Sequence, residues 1–298
     1  PFGAAFLPAK TPGAISCRLT MRQMRNWPRW QALHRMIFLK ARWPNRCTMV
    51  ISCPLPRWIA CLPFWAAVIR SSKLGGIGGS DLASPPEADG ELPAFDATGL
   101  SKAADFLLKL GSCRLDYTAC GDTLVVSFDN AGAPHREAPD RRPWGHKFLV
   151  SQGYSVLGVI AGSSDWYRGK DLHAALIALR DTGFFKSFQT VVFTGSSMGG
   201  YGATAFAELA PGCRIISFNP QSTLRRDLVP WDRQHANGMK QSWSGLFSDG
   251  AEGAKSAAVA YIFYDPFNKM DRRHAQRYQG ENIRLMKAPL LGHGLPSA

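Results

Sequence analysis

From residue 100 onward, short β-branched or apolar runs alternate with amphipathic stretches, and this alternation restricts the fold more than any other feature of the chain. "YSVLGVIAG" predicts a strand, and "GKDLHAALIALRDTGFF" predicts a helix because Leu172, Leu176, Leu179 and their neighbours recur with a 3.6-residue period. "QTVVFTG" predicts a strand, followed by a helix over "MGGYGATAFAELAPG" that Pro211 and Gly212 stop. "RIISFNP" and "VAYIFYD" predict two more strands, "KMDRRHAQRYQ" a polar-faced helix and "NIRLMKAP" a last strand. Upstream, "CRLDYTA" and "TLVVSFDN" are separated only by "CGD", which predicts two adjacent strands joined by a tight turn. Strand and helix in turn imply a mostly parallel sheet covered on both faces, a three-layer α/β/α sandwich. About 200 residues suffice for one such domain.

The first quarter of the 298-residue chain has a different character. Residues 1–80 contain twelve Lys or Arg and no Asp or Glu, whereas residues 81–298 carry 23 basic and 22 acidic side chains, a net of +1. The formal charge of +13 therefore belongs to the first segment, and no nucleic-acid partner is expected for the rest. That segment holds five of the nine tryptophans and four of the seven cysteines, with no sustained helical or strand period, and is expected to be disordered. Its most apolar part, "MVISCPLPRWIACLPFWAAVI", is long enough for a membrane span, but Pro54, Pro56, Pro63 and Arg57 interrupt it. The mixture of Arg, Pro, Ala, Trp and Cys is what GC-rich DNA yields when read out of frame, so the segment is assigned no function; a genuine segment would be an interfacial or anionic-surface anchor. Because the chain begins with Pro1, a fragment or processed product is expected. Residues 81–98, rich in Gly, Ser and Pro, read as a linker, and residues 99–298 as the folded domain.

The seven cysteines form no C-x-x-C pair and no Cys/His cluster at zinc spacing, and no P-loop is present. The expectation is a reduced, cytoplasmic setting with no metal and no cofactor.

One short stretch carries chemistry. In "FTGSSMGGYGA", residues 193–203, Ser197 lies between Gly195 and Gly199 where a buried strand passes into a helix. A sharp turn there would expose the hydroxyl above the sheet edge, and the glycines would let helix and strand backbones approach closely. A serine hydroxyl needs a histidine to take its proton, and the histidine needs a carboxylate to fix its tautomer. The expected chain order is Ser, acid, His. Of the downstream histidines, His293 follows the last strand in the loop "LLGHGLP"; His274 sits among charges in a helix and reads as a solvated surface residue, and His235 lies in a polar insertion. Asp265 ends a strand at the same sheet edge and is the expected acid, while a helix-capping role would equally explain Asp271. Oxyanion donors are expected from the backbone N–H of Met198 and from Asp129 or Asn130 in "FDNAG".

With these motifs, residues 114–298 resemble the α/β-hydrolase superfamily, most of all compact bacterial serine hydrolases with a "GSSMGGYGA" elbow. The resemblance implies Ser197 as nucleophile, His293 as base and Asp265 as the residue that orients it. Two departures stand out. There is no H-G-G-G oxyanion segment, and the sequence stops five residues after His293, where the family usually has a closing helix.

The insert "STLRRDLVPWDRQHANGMKQSWSGLFSDG" falls where such enzymes place a cap. Trp231 and Trp243, with Trp166 and Tyr167 from "DWYRGKDL", are candidates to line a substrate surface, and Arg225 and Arg226 could meet an anionic group. The partner implied is a small-molecule ester or acylated compound, with membrane contact only through residues 1–80. Hydrolysis is the expected reaction; acyl transfer on the same triad and a non-catalytic binding protein are the alternatives.

Overall fold

β-Branched and aromatic residues suit a pleated surface that is buried on both faces, and they dominate the strands here. The computed structural model describes residues 91–135, 141–290 and 292–293, so the expectations for residues 1–80 and for most of the linker lie outside the described residues. The described residues fall in a unit spanning residues 57–298. Within it, β1 (Phe106–Leu110), β2 (Cys113–Thr118), β3 (Thr123–Phe128), β4 (Ser155–Ala161), β5 (Thr190–Ser196), β6 (Arg214–Phe218), β7 (Val259–Tyr264) and β8 (Ile283–Lys287) form one sheet. Its order is β1-β2-β4-β3-β5-β6-β7-β8, and only the β1–β2 and β2–β4 pairings are antiparallel. The helices are α1 (His146–Ser151), α2 (Lys170–Asp181), α3 (Met198–Ala205), α4 (Ala236–Met239), α5 (Gly250–Gly253) and α6 (Lys269–Ala275). No helix of the described residues is long and apolar enough to cross a membrane.

The sheet corrects one expectation. β2 and β3 are not neighbours, because β4 lies between them. Residues 119–122 bridge two strand spacings of roughly 4.8 Å each, within the reach of four extended residues. Ser155, at the start of β4, accommodates the bridge: its Oγ accepts the N–H groups of Cys120 (2.9 Å) and Gly121 (3.1 Å) and donates to the Gly121 carbonyl (2.8 Å).

Successive side chains along β3 alternate between two cores. Leu124, Val126 and Phe128 join the larger one with Phe193, Ile215, Tyr201 and Phe206, while Val125 joins Val156, Val192, Ile216 and Leu149 on the opposite face. Phe128 stacks on Phe206 with centroids 5.7 Å apart, which ties α3 and the turn after it to the sheet.

The parallel register aligns the strand ends. Phe128 pairs with Gly195, Ser196 with Phe218, Phe218 with Phe263 and Tyr264 with Lys287. The residues that follow β3, β5, β6, β7 and β8 therefore emerge at one edge of the sheet, where ligands of open α/β sheets bind.

Candidate active site

Ser197 emerges from β5 with φ 58° and ψ −118°, a backbone conformation that non-glycine residues rarely adopt. The turn is held by Ser197 N–H donating to the Phe218 carbonyl (2.8 Å) and by Tyr201 N–H donating to the Ser197 carbonyl (3.0 Å). Glycine is required on both sides. A Cβ at Gly195 would fall on the Gly199 carbonyl, and one at Gly199 would fall on the carbonyls of Phe128 and Asp129. The loop after β3 is thus packed directly on the elbow.

His293 completes a relay. Its Nε2 lies 2.8 Å from Ser197 Oγ, and its Nδ1 lies 2.7 Å from Asp271 Oδ1. A carboxylate at Nδ1 places the proton there, which leaves the Nε2 lone pair to accept the serine hydroxyl proton. The Asp271 side chain is only 4 % exposed and that of His293 40 %, so the imidazole meets solvent while the carboxylate does not.

The carboxylate that meets His293 is not the one expected. Asp265 is buried and spends both oxygens on backbone: Oδ1 accepts Phe267 N–H (2.9 Å) and Oδ2 accepts Gly292 N–H (2.8 Å). It fastens the loop that carries His293 and bonds its backbone instead of its ring. Asn219 grips the same loop from β6, its Nδ2 donating to the carbonyls of Gly292 (3.0 Å) and His293 (3.1 Å). Asp271 is free to face the ring because Asn268 caps α6, its Oδ1 accepting the N–H groups of Met270 (3.0 Å) and Asp271 (3.3 Å).

The three expected oxyanion residues separate. Met198 opens α3, where the first N–H groups have no partner within the helix. Asp129 is committed to structure: its carboxylate pairs with Arg141 (2.6 Å) and accepts Ala161 N–H (3.0 Å), and its own N–H donates to the Val159 carbonyl (3.4 Å). A carboxylate would also repel an oxyanion. Asn130 turns the loop, its Oδ1 accepting Gly132 N–H (2.9 Å) and its carbonyl Ala133 N–H (3.0 Å).

The expected substrate-lining aromatics are mostly anchors. Trp166 is buried against Gly238 and meets the His235 ring edge-on at 5.2 Å. Tyr167 is fully buried, its hydroxyl donating to the Asp129 carbonyl (2.6 Å). Trp243 donates to the Gly238 carbonyl (2.8 Å) and lies 5.3 Å from both the Tyr201 ring and the Arg168 guanidinium. Trp231 is half-buried between the His274 ring (4.6 Å) and the guanidinium of Arg273 (4.2 Å). Arg168 clasps the insert by donating to the carbonyls of Ser242, Ser244, Leu246 and Phe247 at 2.9–3.0 Å. His146 faces Thr118 Oγ1 (2.9 Å), and Arg225 pairs with Asp227 (2.6 Å).

His274 is a further correction. It is buried instead of solvated, with Nε2 3.0 Å from Asp232 Oδ2 and Nδ1 3.1 Å from Ser222 N–H. Nδ1 must accept that N–H, so the ring is a neutral Nε2–H tautomer. Burial lowers its pKa, against the pull of Asp232. His235 Nδ1 lies 2.9 Å from the same Asp232 oxygen, and Arg277 donates to Ser222 Oγ (2.9 Å) and to Asp249 (2.6 Å). The signal that sequence reading missed was the α6 helical spacing: His274 stands three residues after Asp271 and shares its inward face.

No family model and no curated protein matches the chain. Several solved structures are similar to it. The capsule O-acetyltransferase of Neisseria meningitidis serogroup A is 14 % identical over 64 % of this chain and 91 % of its own, with a TM-score of 0.42. A hormone-sensitive lipase from a metagenome library is 16 % identical over 64 % of this chain and 77 % of its own (TM-score 0.42), and a bacterial heroin esterase 15 % identical over the same shares (TM-score 0.40). The described residues form a mostly parallel eight-stranded sheet with a strand–turn–helix elbow that carries a positive-φ serine, and Ser197, Asp271 and His293 meet in that chain order at one sheet edge.

Proposed function

We propose that the chain is a serine hydrolase that cleaves a carboxylic ester or related acyl bond through an acyl-enzyme. The observation that carries this reading is the continuous relay from Ser197 Oγ to His293 Nε2 (2.8 Å) and from His293 Nδ1 to Asp271 Oδ1 (2.7 Å). Ser197 Oγ attacks the acyl carbon as its proton passes to His293 Nε2, and the carbonyl π pair moves onto oxygen. The developing oxyanion is assigned to two N–H groups, that of Met198 at the start of α3 and that of Asn130, next to the Asp129 carbonyl that packs on the elbow. The tetrahedral intermediate collapses by breaking the bond to the leaving alcohol, which takes the proton from Nε2. Water then attacks the acyl-enzyme by the same route, with His293 as base, and the carboxylic acid leaves. Asp271 keeps the ring in the productive tautomer and stabilises the imidazolium that each attack creates.

The test is turnover of a panel of p-nitrophenyl esters of increasing acyl length by the full chain. Hydrolysis that disappears in Ser197→Ala and His293→Ala supports the reading. Equal rates in wild type and Ser197→Ala would refute it.

A further inference from the structure

Ser197 Oγ has a second close neighbour besides His293. The side-chain amide of Gln221 approaches it with Nε2 at 3.3 Å and Oε1 at 3.4 Å. Gln221 follows β6 in the segment "NPQS", and only 1 % of its surface is exposed. A hydroxyl oxygen has one proton and two acceptor sites. His293 Nε2, at 2.8 Å, is the shorter contact and takes the proton. What Oγ can offer Gln221 is a lone pair, so Nε2–H of the amide is the group that bonds it.

The segment holds this amide in place from both sides. Asn219, with φ 44°, donates its N–H to the Phe263 carbonyl (2.7 Å) and its Nδ2 to the loop of His293. Pro220 fixes the next φ and packs where a side chain on Gly200 would otherwise sit. Ser222 N–H is bound by His274 of α6, the helix that also carries Asp271. Three of these four consecutive residues thus touch Ser197, the loop of His293 and the helix of Asp271.

We infer that Gln221 is a catalytic residue whose amide N–H donates to Ser197 Oγ, directing the hydroxyl proton to His293 and stabilising the negative charge on Oγ as that proton leaves. The same donor acts when the acyl-enzyme is broken. As the Oγ–C bond cleaves, its electron pair returns to Oγ, which then recovers a proton from His293. The remaining Oγ lone pair stays open to the acyl carbon. This role rests on the nucleophile reading of Ser197.

The experiment measures the rate of inactivation of the full chain by a fluorophosphonate as a function of its concentration, separating the maximal rate constant from the half-saturating concentration. Gln221→Met removes the donor at nearly constant volume, and Gln221→Glu replaces it with a group that, ionised, only accepts. Thermal unfolding is recorded alongside. The maximal rate constant is expected to fall about 10- to 100-fold in both variants, with the half-saturating concentration and the unfolding midpoint unchanged. If Gln221→Met does not fold, the isosteric Gln221→Glu decides by the same criterion. Wild-type inactivation with an unchanged maximal rate constant in the folded variant overturns the role of Gln221 and leaves Ser197 as nucleophile. A folded wild type that is not inactivated overturns the nucleophile reading and this inference with it.

Discussion

Among the described residues, two clusters contain a serine, a histidine and an aspartate within hydrogen-bond distance, and they differ in access and in the sharing of the histidine lone pair. In the first, Ser197 sits on a strained turn, partly exposed, and among the described residues the histidine nitrogen facing it has only the hydroxyl to accept from. In the second, Ser222 is fully buried, and the His274 nitrogen facing it already accepts the Ser222 backbone N–H (3.1 Å). Arg277 donates to the Ser222 hydroxyl (2.9 Å), whose own proton has to share the His274 Nδ1 lone pair (3.0 Å) with that backbone N–H. A base whose lone pair is shared with a backbone N–H is a weaker proton acceptor, and a nucleophile without solvent access meets no substrate. The second cluster serves as a brace: it ties the insert, through Asp232 and Ser222, to α6, the helix that presents Asp271 to the first. Residue types and distances alone therefore do not define a catalytic triad. Access, and the direction of each hydrogen bond, do.

The comparison can be broken most sharply at the serines. Ser197→Ala should lower ester turnover by about a million-fold, to background, whereas Ser222→Ala should leave turnover within about threefold of wild type. Steady-state rates on one p-nitrophenyl ester check both, and a large loss in Ser222→Ala would erase the distinction drawn above.

The carboxylates come next. Asp271→Asn should reduce kcat about 10³- to 10⁴-fold, because the amide favours the wrong tautomer of His293. Asp265→Asn removes an acceptor for backbone N–H groups and should cost about tenfold in kcat, with a loss of roughly 1–2 kcal/mol in stability. Kinetics paired with urea unfolding separates the two. The reverse ranking would reinstate Asp265 as the orienting acid.

A smaller effect is expected in the brace. Asp232→Ala leaves the N–H groups of His274 and His235 facing a void and should destabilise the fold by about 3 kcal/mol, read from the urea midpoint. The most modest effect concerns acid. His173, buried on α2 with Nε2 2.8 Å from the Tyr167 carbonyl, has its pKa lowered to about 4, first by burial and then by the charge of Arg168. His274 is shifted in the same direction by burial. The unfolded chain binds these protons more readily than the folded one, so stability is complete above the ordinary histidine pKa near 6.5 and falls as pH drops below it. At pH 5, His173 alone should account for about 2 kcal/mol, which His173→Gln would remove from the pH dependence of the urea midpoint.

The parallel part of the sheet was legible because each strand from β4 to β7 is a largely apolar run bounded by turn signals, and the elbow because its glycines are dictated by backbone contact. The sheet neighbour of β3 was not legible. "CGD" is equally compatible with a tight turn and with a bridge across β4, and only the hydrogen bonds of Ser155 distinguish them. The meeting of Ser197 with His293 could be read from their positions at strand ends. The carboxylate that meets His293 could not, because Asp265 holds the more typical position while Asp271 owes its freedom to Asn268, which takes over the cap of α6. Trp166 and Tyr167 misled for a different reason: both have positive φ (54° and 56°), which turns their rings into the core. Gln221 carried no sequence signal beyond following a strand, since what matters is a distance to a residue 24 positions away.

The most direct test is to treat the full chain with a fluorophosphonate and locate the adduct by peptide mass mapping, in wild type and in His293→Ala. The account predicts a single modified residue, Ser197, with Ser222 untouched and the modification strongly reduced in the variant. An adduct on Ser222, or a folded wild type that carries none, would contradict it.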